Sequence, residues 1–396
     1  MPLDVVFVQQ SLDPSSPFSG INTPIGQFDL LRQFSGYLHT IVRLLVEIFE
    51  LAPLTAFSHL TFVAATLIWA LCSWSLFLAI RSIADSTSGF LAAMVLCLLP
   101  SSNIILLGQL NALQWPLLVA SIVLIVTEWN PPSRFSALSF LVLLFITAAS
   151  AALAFIPVTL LTLQIRTRGW ERIRWPLLVM AAPYIAQIVA YLRQPGRRAE
   201  ELNPLSQLLQ EMAYIPKVLL PGSLRGAVDE RLGTPAAVLL GLVIILFTSL
   251  FAATVNSFRH KPSPTFRPIA TLPIVAVFSG LVSVVMNGNL NHQYLMIPLT
   301  CFWLTIILCI DRLMNFPLKR HWAQAATFVA LGVFIFSGIA SWKKGYSDEF
   351  FDRPALARLD VSLREAKEQC ASNSGLVVDA SGTGLKLPCE IVLTLR

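Results

Sequence analysis

The sequence predicts an all-α polytopic membrane protein, and three features support that fold class. Of the 396 residues, 55% are hydrophobic and only 13% are charged, whereas roughly a quarter of the residues in a soluble domain are charged. The mean hydropathy is +0.70, which is high for a chain that folds in water. The charges gather between long uncharged runs, which fit membrane helices better than the short alternating strands of a barrel.

The uncharged runs supply about ten candidate spans in a bundle at residues 57–341, since a helix crosses the hydrocarbon with about 20 apolar residues. Several runs are shorter than that. The two that meet at residues 147–150 are compatible with one bent unit or with a re-entrant hairpin. The expected spans are residues 57–83, 89–107, 112–127, 135–149, 151–165, 175–191, 235–255, 269–286, 294–310 and 322–341.

Short basic loops set the orientation, because loops rich in lysine and arginine stay in the cytoplasm. Three such segments alternate with the spans only if all three are inside. The N-terminal segment 1–56 and the tail 342–396 then lie outside, so the chain is expected in the cell membrane with both termini extracytoplasmic. The basic residues are Arg166, Arg168, Arg172 and Arg174, then Arg259, Lys261 and Arg267, then Arg312, Lys319 and Arg320.

The N-terminal segment shows no basic region followed by an apolar core, so we expect insertion through internal helices or through a first helix upstream of Met1. Residues 36–54 are apolar at helical spacing, and they carry Arg43 and Glu47 four residues apart. This pattern predicts an amphipathic helix lying in the membrane interface.

The tail after residue 341 changes to a polar composition, which predicts a helix followed by short strands in a small α/β unit. Cys370 and Cys389 both fall in it. In an oxidising compartment a disulfide between them would close a loop of about 19 residues and contribute about 3 kcal/mol. Two unpaired cysteines are the alternative. The other four cysteines lie in apolar runs, where a thiol behaves as a small hydrophobe.

The motifs of most soluble enzymes are missing from the sequence. It shows no metal-ligand spacing, nucleophile elbow or nucleotide fingerprint, so no metal ligands are predicted. The net charge of +6 is explained by the basic loops, so no nucleic-acid partner is expected. Acidic residues are absent from the predicted span interiors, which argues against an ion-coupled transporter.

Three polar clusters recur at the predicted outer face. Amides such as Asn111 and Gln114 can bind sugar hydroxyls, or they can cap or join helices. His292, in a turn rich in asparagine, could donate to a phosphate oxygen or be solvated. His39 and Arg43 lie one turn apart on the predicted interfacial helix, where they would meet the phosphate of the bilayer or of a lipid substrate.

Four segments together resemble the GT-C-fold membrane glycosyltransferases that use polyprenyl-phosphate-linked sugars, including bacterial members of that family. They are GYLHTIVRL at 36–44, LPSSNIILLGQLNALQWPL at 99–117, the paired short helices before the basic loop at 135–174, and HQYLMIPL at 292–299. The resemblance implies a GT-C-like bundle in the lipid bilayer. It also implies a polyprenyl-phosphate-linked sugar as donor and a cell-envelope glycan or lipid as acceptor.

The resemblance also implies roles for individual residues. Asp4 matches the place of the catalytic base, although the family has a span before that acid and often a second acid. Gln293 and Tyr294 stand where the family has an arginine and a tyrosine. The implied phosphate-binding residues are His39, Arg43 and His292, and the implied sugar-binding residues are Asn111 and Gln114.

These departures leave several functions open. The displacement could be metal-free or assisted by a divalent cation. The alternatives to an enzyme are a non-catalytic membrane subunit that has kept the fold, and a transporter of lipids or small molecules.

Overall fold

A computed structural model describes the helical part of the chain. All but a few of the described residues are helical, which agrees with the predicted all-α class. The described residues are 33–34, 37–38, 40–49, 54–98, 112–193, 250–252, 254–258, 263–287, 296–315, 364–372, 377–379 and 386–389.

Nine helices with complete bounds lie between residues 40 and 314 of the described part. They are α1 Thr40–Phe49, α2 Leu54–Arg81, α3 Ser86–Leu98, α4 Gln114–Val126, α5 Arg134–Ser150, α6 Phe155–Arg168, α7 Trp170–Arg193, α8 Phe266–Asn287 and α9 Met296–Met314. Residues 250–252 and 254–258 are also helical, and a short 3₁₀ turn, Ala152–Ala154, separates α5 from α6.

Helices α2 to α9 coincide with eight of the predicted apolar segments. Segment 322–341 and most of segment 235–255 lie outside the described residues. Within the described part, two helical stretches, Phe62–Arg81 and Met296–Met314, are long and apolar enough to cross a membrane. Four further helical stretches are apolar but shorter, so the number of spans stays a prediction.

Helix α4 lies at the centre of the bundle, because all thirteen of its residues are buried. Helices α2, α5, α6, α8 and α9 pack around it. Its sequence QWPLLVASIVLIV has no charge and is apolar on every face, which is the pattern of a fully buried helix. Pro116 falls in its first turn, where the missing N–H breaks no helical hydrogen bond.

Helices α2 and α3 form a tight antiparallel pair joined by residues 82–85. Gly89 lies at their contact, where an added Cβ would stand 3.1 Å from the backbone oxygen of Phe77. Asp85 precedes α3, and its carboxylate accepts a hydrogen bond of 2.6 Å from the backbone N–H of Ser88. This is an N-cap interaction, which fixes the point where the chain turns back.

The break between α5 and α6 separates two independent helices. Ala151 has extended backbone, with φ −110° and ψ 124°, so the helix cannot continue through it. Helices α4 and α7 each contact both α5 and α6. By their rise per residue, α5 and α6 are about 25 and 21 Å long. The two segments predicted to meet at residues 147–150 are therefore two separate helices and not one bent helix.

The outer surface of the bundle carries stripes of exposed apolar side chains at helical spacing. The stripe on α2 is Val63, Leu67, Leu71 and Trp74; that on α5 is Phe135, Leu138, Val142 and Phe145; and that on α8 is Ile274, Val277 and Phe278. Water would disfavour so much apolar surface on a monomer.

The described strands are short and pair in two antiparallel hairpins. Gln33–Phe34 (β1) pairs with Tyr37–Leu38 (β2), just before α1. In the tail, Val377–Asp379 (β3) pairs with Lys386–Pro388 (β4), after the helical residues 364–372. Within the described part of the tail, one strand pair follows the helical residues, and the small α/β unit as a whole stays a prediction.

The central position of α4 leads to a prediction for stability. Leu118 on α4 is 1% exposed, so Leu118→Ala leaves a cavity and should lower the unfolding free energy by about 2–5 kcal/mol. Leu67 on α2 is 58% exposed, and Leu67→Ala is the matched control, expected within about 0.5 kcal/mol of the parent. Denaturant unfolding in detergent measures both. Equal losses would contradict the central role of α4.

Candidate functional site

The helices define two ends of the bundle. At one end α2, α4, α6 and α9 finish and α3, α5, α7 and α8 begin; we call this the arginine end. The opposite end, where α1 lies, is the α1 end. Most arginines of α1 to α9 stand at the arginine end, namely Arg81, Arg134, Arg166, Arg168, Arg172, Arg174, Arg267 and Arg312, whereas Arg43 and Arg193 stand at the other.

Helix α1 is fastened to the last turn of α5 by two hydrogen bonds. The Thr40 hydroxyl donates to the carbonyl oxygen of Ala149 at 2.8 Å, and the backbone N–H of Ile41 donates to the Ser150 hydroxyl at 3.1 Å. The first N–H groups and the last carbonyls of a helix lack partners within it. The start of α1 and the end of α5 therefore satisfy each other, which fixes α1 at this end.

Gln114 begins α4 at the same end. Further into the bundle, the Ser121 hydroxyl of α4 lies 2.8 Å from the Thr147 hydroxyl of α5. These two residues therefore lie at the same depth along the bundle. Measured along the helix axes toward the α1 end, Gln114 lies about 10 Å beyond Ser121, and Ser150 lies about 4.5 Å beyond Thr147. Gln114 is buried, 6% exposed, at the start of a helix whose other residues are apolar apart from Ser121. A buried amide therefore lies near the depth at which α1 docks.

The structure places only part of the predicted site. Helix α1 contains Arg43, whose side chain is not among the described residues, and Gln114 is placed as above. Both belong to the α1 end. The remaining predicted residues lie outside the described residues, so their roles stay predictions: Asp4, His39, Asn111, His292, Gln293 and Tyr294.

The arginine end holds a buried carboxylate that the sequence analysis missed. Asp311, 7% exposed, lies near the end of α9. Its carboxylate accepts hydrogen bonds from the Ser88 hydroxyl at 3.1 Å and from the backbone N–H of Asp85 at 3.3 Å. These contacts join the end of α9 to the start of α3. A run of five apolar residues before Asp311 made it look like the first residue of a loop.

Arg312 is also buried, at 8% exposure, and its guanidinium lies 4.7 Å from the ring centroid of Phe258. It donates to the hydroxyl of Ser257 at 3.1 Å and to the carbonyl oxygen of Ser257 at 3.3 Å. Its assignment to a basic loop is wrong, because α9 continues to Met314. The planar guanidinium satisfies a hydroxyl, a carbonyl and an aromatic face together, which keeps this cation inside the protein.

Glu128, which follows α4 at the arginine end, joins three helices. Its carboxylate pairs with Arg168 at the end of α6 and with Arg267 at the start of α8. Glu128 itself has a positive φ of 52°, a conformation that costs a residue with a side chain about 1–3 kcal/mol. The two ion pairs hold it in that conformation and so connect α4 with α6 and α8.

The tail cysteines form a disulfide. Cys370 is bonded to Cys389, with a Cα–Cα distance of 5.0 Å, and both residues are buried. The bond joins the helical residues 364–372 to the residue after β4. In contrast, Cys72, Cys301 and Cys309 are free thiols buried within the helices.

Within the described residues, no group of three or more His, Cys, Asp or Glu side chains is placed to hold a metal ion. A comparison with known proteins found no family model, curated relative or solved structure that matches the chain.

The Arg312 contacts predict a specific loss of stability. Arg312→Met removes a charged donor from two hydrogen bonds and should lower the unfolding free energy by about 2–3 kcal/mol. Arg312→Lys keeps the charge but loses the planar fork, so it should recover less than half of that loss. Thermal unfolding in detergent measures both variants, with exposed Arg134→Gln as the control. A fully stable Arg312→Lys would show that charge alone is required.

The disulfide predicts a labelling pattern in whole cells. Without reductant, denatured protein should take up maleimide at Cys72, Cys97, Cys301 and Cys309 only; after reduction, two further sites should react. The bond also requires an oxidising compartment, so the tail should be reached by a membrane-impermeant probe at an introduced cysteine, Glu368→Cys. Six reactive thiols without reductant would contradict the bond, and failure of the impermeant probe to reach Glu368→Cys would contradict the outer location.

Proposed function

We propose that this protein is a multi-pass membrane glycosyltransferase of the GT-C type that works at the α1 end of the bundle. The observation that supports the proposal best is the docking of α1 onto the last turn of α5 by the Thr40 and Ile41 hydrogen bonds. This docking holds the Arg43-bearing helix at the end where the buried amide of Gln114 begins α4. A cation and an amide at one end are suited to a lipid-phosphate-linked sugar.

The proposal places about ten spans in the membrane, with the arginine end in the cytoplasm. The exposed apolar stripes on α2, α5 and α8 would face lipid. The arginines concentrated at one end match the excess of positive charge in cytoplasmic loops. The α1 end and both termini then lie outside, where lipid-linked sugars serve cell-envelope synthesis.

In the proposed reaction Asp4 acts as the general base. It takes the proton of an acceptor hydroxyl, and that oxygen attacks the anomeric carbon of the donor sugar from the side opposite the phosphate. The bond between the anomeric carbon and the phosphate oxygen breaks, and polyprenyl phosphate leaves with the bonding electrons. The sugar configuration is inverted.

The binding roles follow the chemistry of each side chain. Arg43, His39 and His292 would hold the phosphate of the donor and of the leaving group, since guanidinium and imidazole groups donate to phosphate oxygens. Asn111 and Gln114 would contact sugar hydroxyls, with Gln293 and Tyr294 beside them. Gln114 is buried at the start of α4, and its amide can both donate to and accept from a hydroxyl.

A non-catalytic membrane subunit with the same fold is the second candidate. The contacts that fasten α1 are made by small hydroxyls and backbone groups, so they stabilise the bundle whether or not chemistry follows. In the glycosyltransferase, Arg43 is needed to bind lipid phosphate and Asp4 is needed for sugar transfer. In a non-catalytic subunit, Asp4 has no role in transfer.

The test measures lipid-phosphate binding and transfer separately on the full chain in nanodiscs. Undecaprenyl phosphate is the binding probe, and Arg43→Gln should weaken its binding about tenfold or more, the loss of one charge-assisted hydrogen bond. Arg134→Gln, an exposed arginine at the opposite end, is the matched control and should bind as the parent does.

Transfer is followed as release of undecaprenyl phosphate from its radiolabelled mono-sugar derivatives. Asp4→Asn should retain binding and lose at least a hundredfold in rate, as expected for removal of a general base. Binding without any transfer by the parent, with Asp4→Asn unchanged, would favour the non-catalytic subunit. Equal binding by parent, Arg43→Gln and Arg134→Gln would contradict the role of Arg43 in lipid-phosphate binding and with it the glycosyltransferase proposal.

A further inference from the structure

The turn between α6 and α7 is a concentrated surface of arginine and tryptophan, which we call the arginine turn, residues 165–175. The helix reverses at Gly169, whose φ of +81° is readily adopted by glycine only. Arg166 and Arg172 are exposed on either side of it. Trp170 and Trp175 are 48% and 57% exposed, although large aromatic side chains are usually covered.

The carboxylates around the arginine turn do not balance its charge. Glu171 pairs with Arg174 at 2.9 Å, and Glu128 divides its carboxylate between Arg168 and Arg267. The group contains five arginines and two carboxylates and therefore has a net charge of +3. The arginines are Arg166, Arg168, Arg172, Arg174 and Arg267, and the carboxylates are Glu128 and Glu171.

The crowding of these cations has an electrostatic consequence at Arg168. Burial lowers the pKa of Arg168, the guanidiniums of Arg172 and Arg267 lower it further, and only Glu128 opposes them. Positive charges that are crowded together and partly removed from water attract an anion. The two carboxylates of this group, Glu128 and Glu171, are already paired, so the remaining positive charge of the arginines has no described carboxylate to balance it.

The exposed tryptophans and their apolar neighbours indicate that the anion belongs to a lipid. Exposed tryptophan side chains favour the headgroup level of a membrane, since the ring is apolar and the N–H is polar. Leu163 on α6 and Phe266 on α8 are 67% and 48% exposed beside the arginines. A surface with exposed apolar side chains on one side and uncompensated guanidiniums on the other fits acyl chains and phosphate in the same molecule.

We propose that the arginine turn, together with Arg267, binds the phosphate headgroups of anionic phospholipids. The surface lies at the opposite end of the bundle from the proposed sugar-transfer site and does not depend on it. Basic surfaces beside membrane helices bind anionic headgroups with about 1 kcal/mol for each arginine near the surface. The lipid would anchor the α6–α7 hairpin and the start of α8 at one leaflet.

The test uses the full chain in a neutral detergent, titrated with phosphatidylglycerol, phosphatidylcholine or inorganic phosphate and followed by native mass spectrometry. Phosphatidylglycerol should bind and phosphatidylcholine should not. The variant Arg166→Gln/Arg172→Gln removes two exposed charges and leaves the Glu128 ion pairs intact, so it should weaken phosphatidylglycerol binding about thirtyfold. Arg81→Gln is the matched control, an exposed arginine at the same end but outside the turn, and should leave binding unchanged.

A second variant should strengthen phosphatidylglycerol binding, whereas the double variant weakens it. Glu128→Gln removes the carboxylate that occupies Arg168 and Arg267, so phosphatidylglycerol should bind more tightly to this variant than to the parent. Equal binding of the two phospholipids, or the same loss in Arg81→Gln as in the double variant, would overturn the proposal. So would complete displacement of phosphatidylglycerol by millimolar inorganic phosphate, which would assign the surface to free phosphate. Helical circular dichroism verifies that each variant is folded.

Discussion

Complete burial of α4 is the constraint around which the other helices are arranged. A helix that is apolar on all faces needs neighbours on all faces, and α2, α5, α6, α8 and α9 supply them. Few polar groups interrupt this packing. The Ser121 hydroxyl meets that of Thr147, and the Gln164 amide donates to the carbonyl oxygen of Ile125 at 2.6 Å. These bonds set the relative depth of α4, α5 and α6, so both ends of the bundle depend on α4.

The two ends are built with different chemistry. At the α1 end, hydroxyls and backbone groups join α1 to α5 without ionic contacts among the described side chains. At the arginine end, Asp311, Arg312 and Glu128 are each held by partners from other helices. Buried charges are stable only when they are paired or hydrogen-bonded, so this end tolerates little rearrangement. The contacts that join α1 to α5 are neutral hydrogen bonds, so their loss would leave no buried charge without a partner.

The sequence predicted the helices well, because long uncharged runs carry a strong signal. Segment 269–286, for example, became α8, Phe266–Asn287. It was less informative about polar residues. Hydropathy placed Arg312 in a loop, since an isolated charge after an apolar run is the usual sign of a span end, and the Ser257 and Phe258 contacts that bury it are distant in sequence. Docking of α1 on α5 was equally invisible, because the contact between Thr40 and Ala149 bridges 109 residues.

The break at Ala151 connects these observations. Had α5 continued as one long helix, the carbonyl oxygen of Ala149 would already have had a backbone N–H partner within the helix, and it would have been less open to the Thr40 hydroxyl of α1. Because the chain turns there, the carbonyl oxygen of Ala149 accepts from the Thr40 hydroxyl of α1, near the depth of the buried amide of Gln114. The return helix α6 then carries Arg166 and Arg168 back to the opposite end, beside Glu128. One interruption of the helix therefore creates the docking point for α1 and also delivers the arginines to the other end.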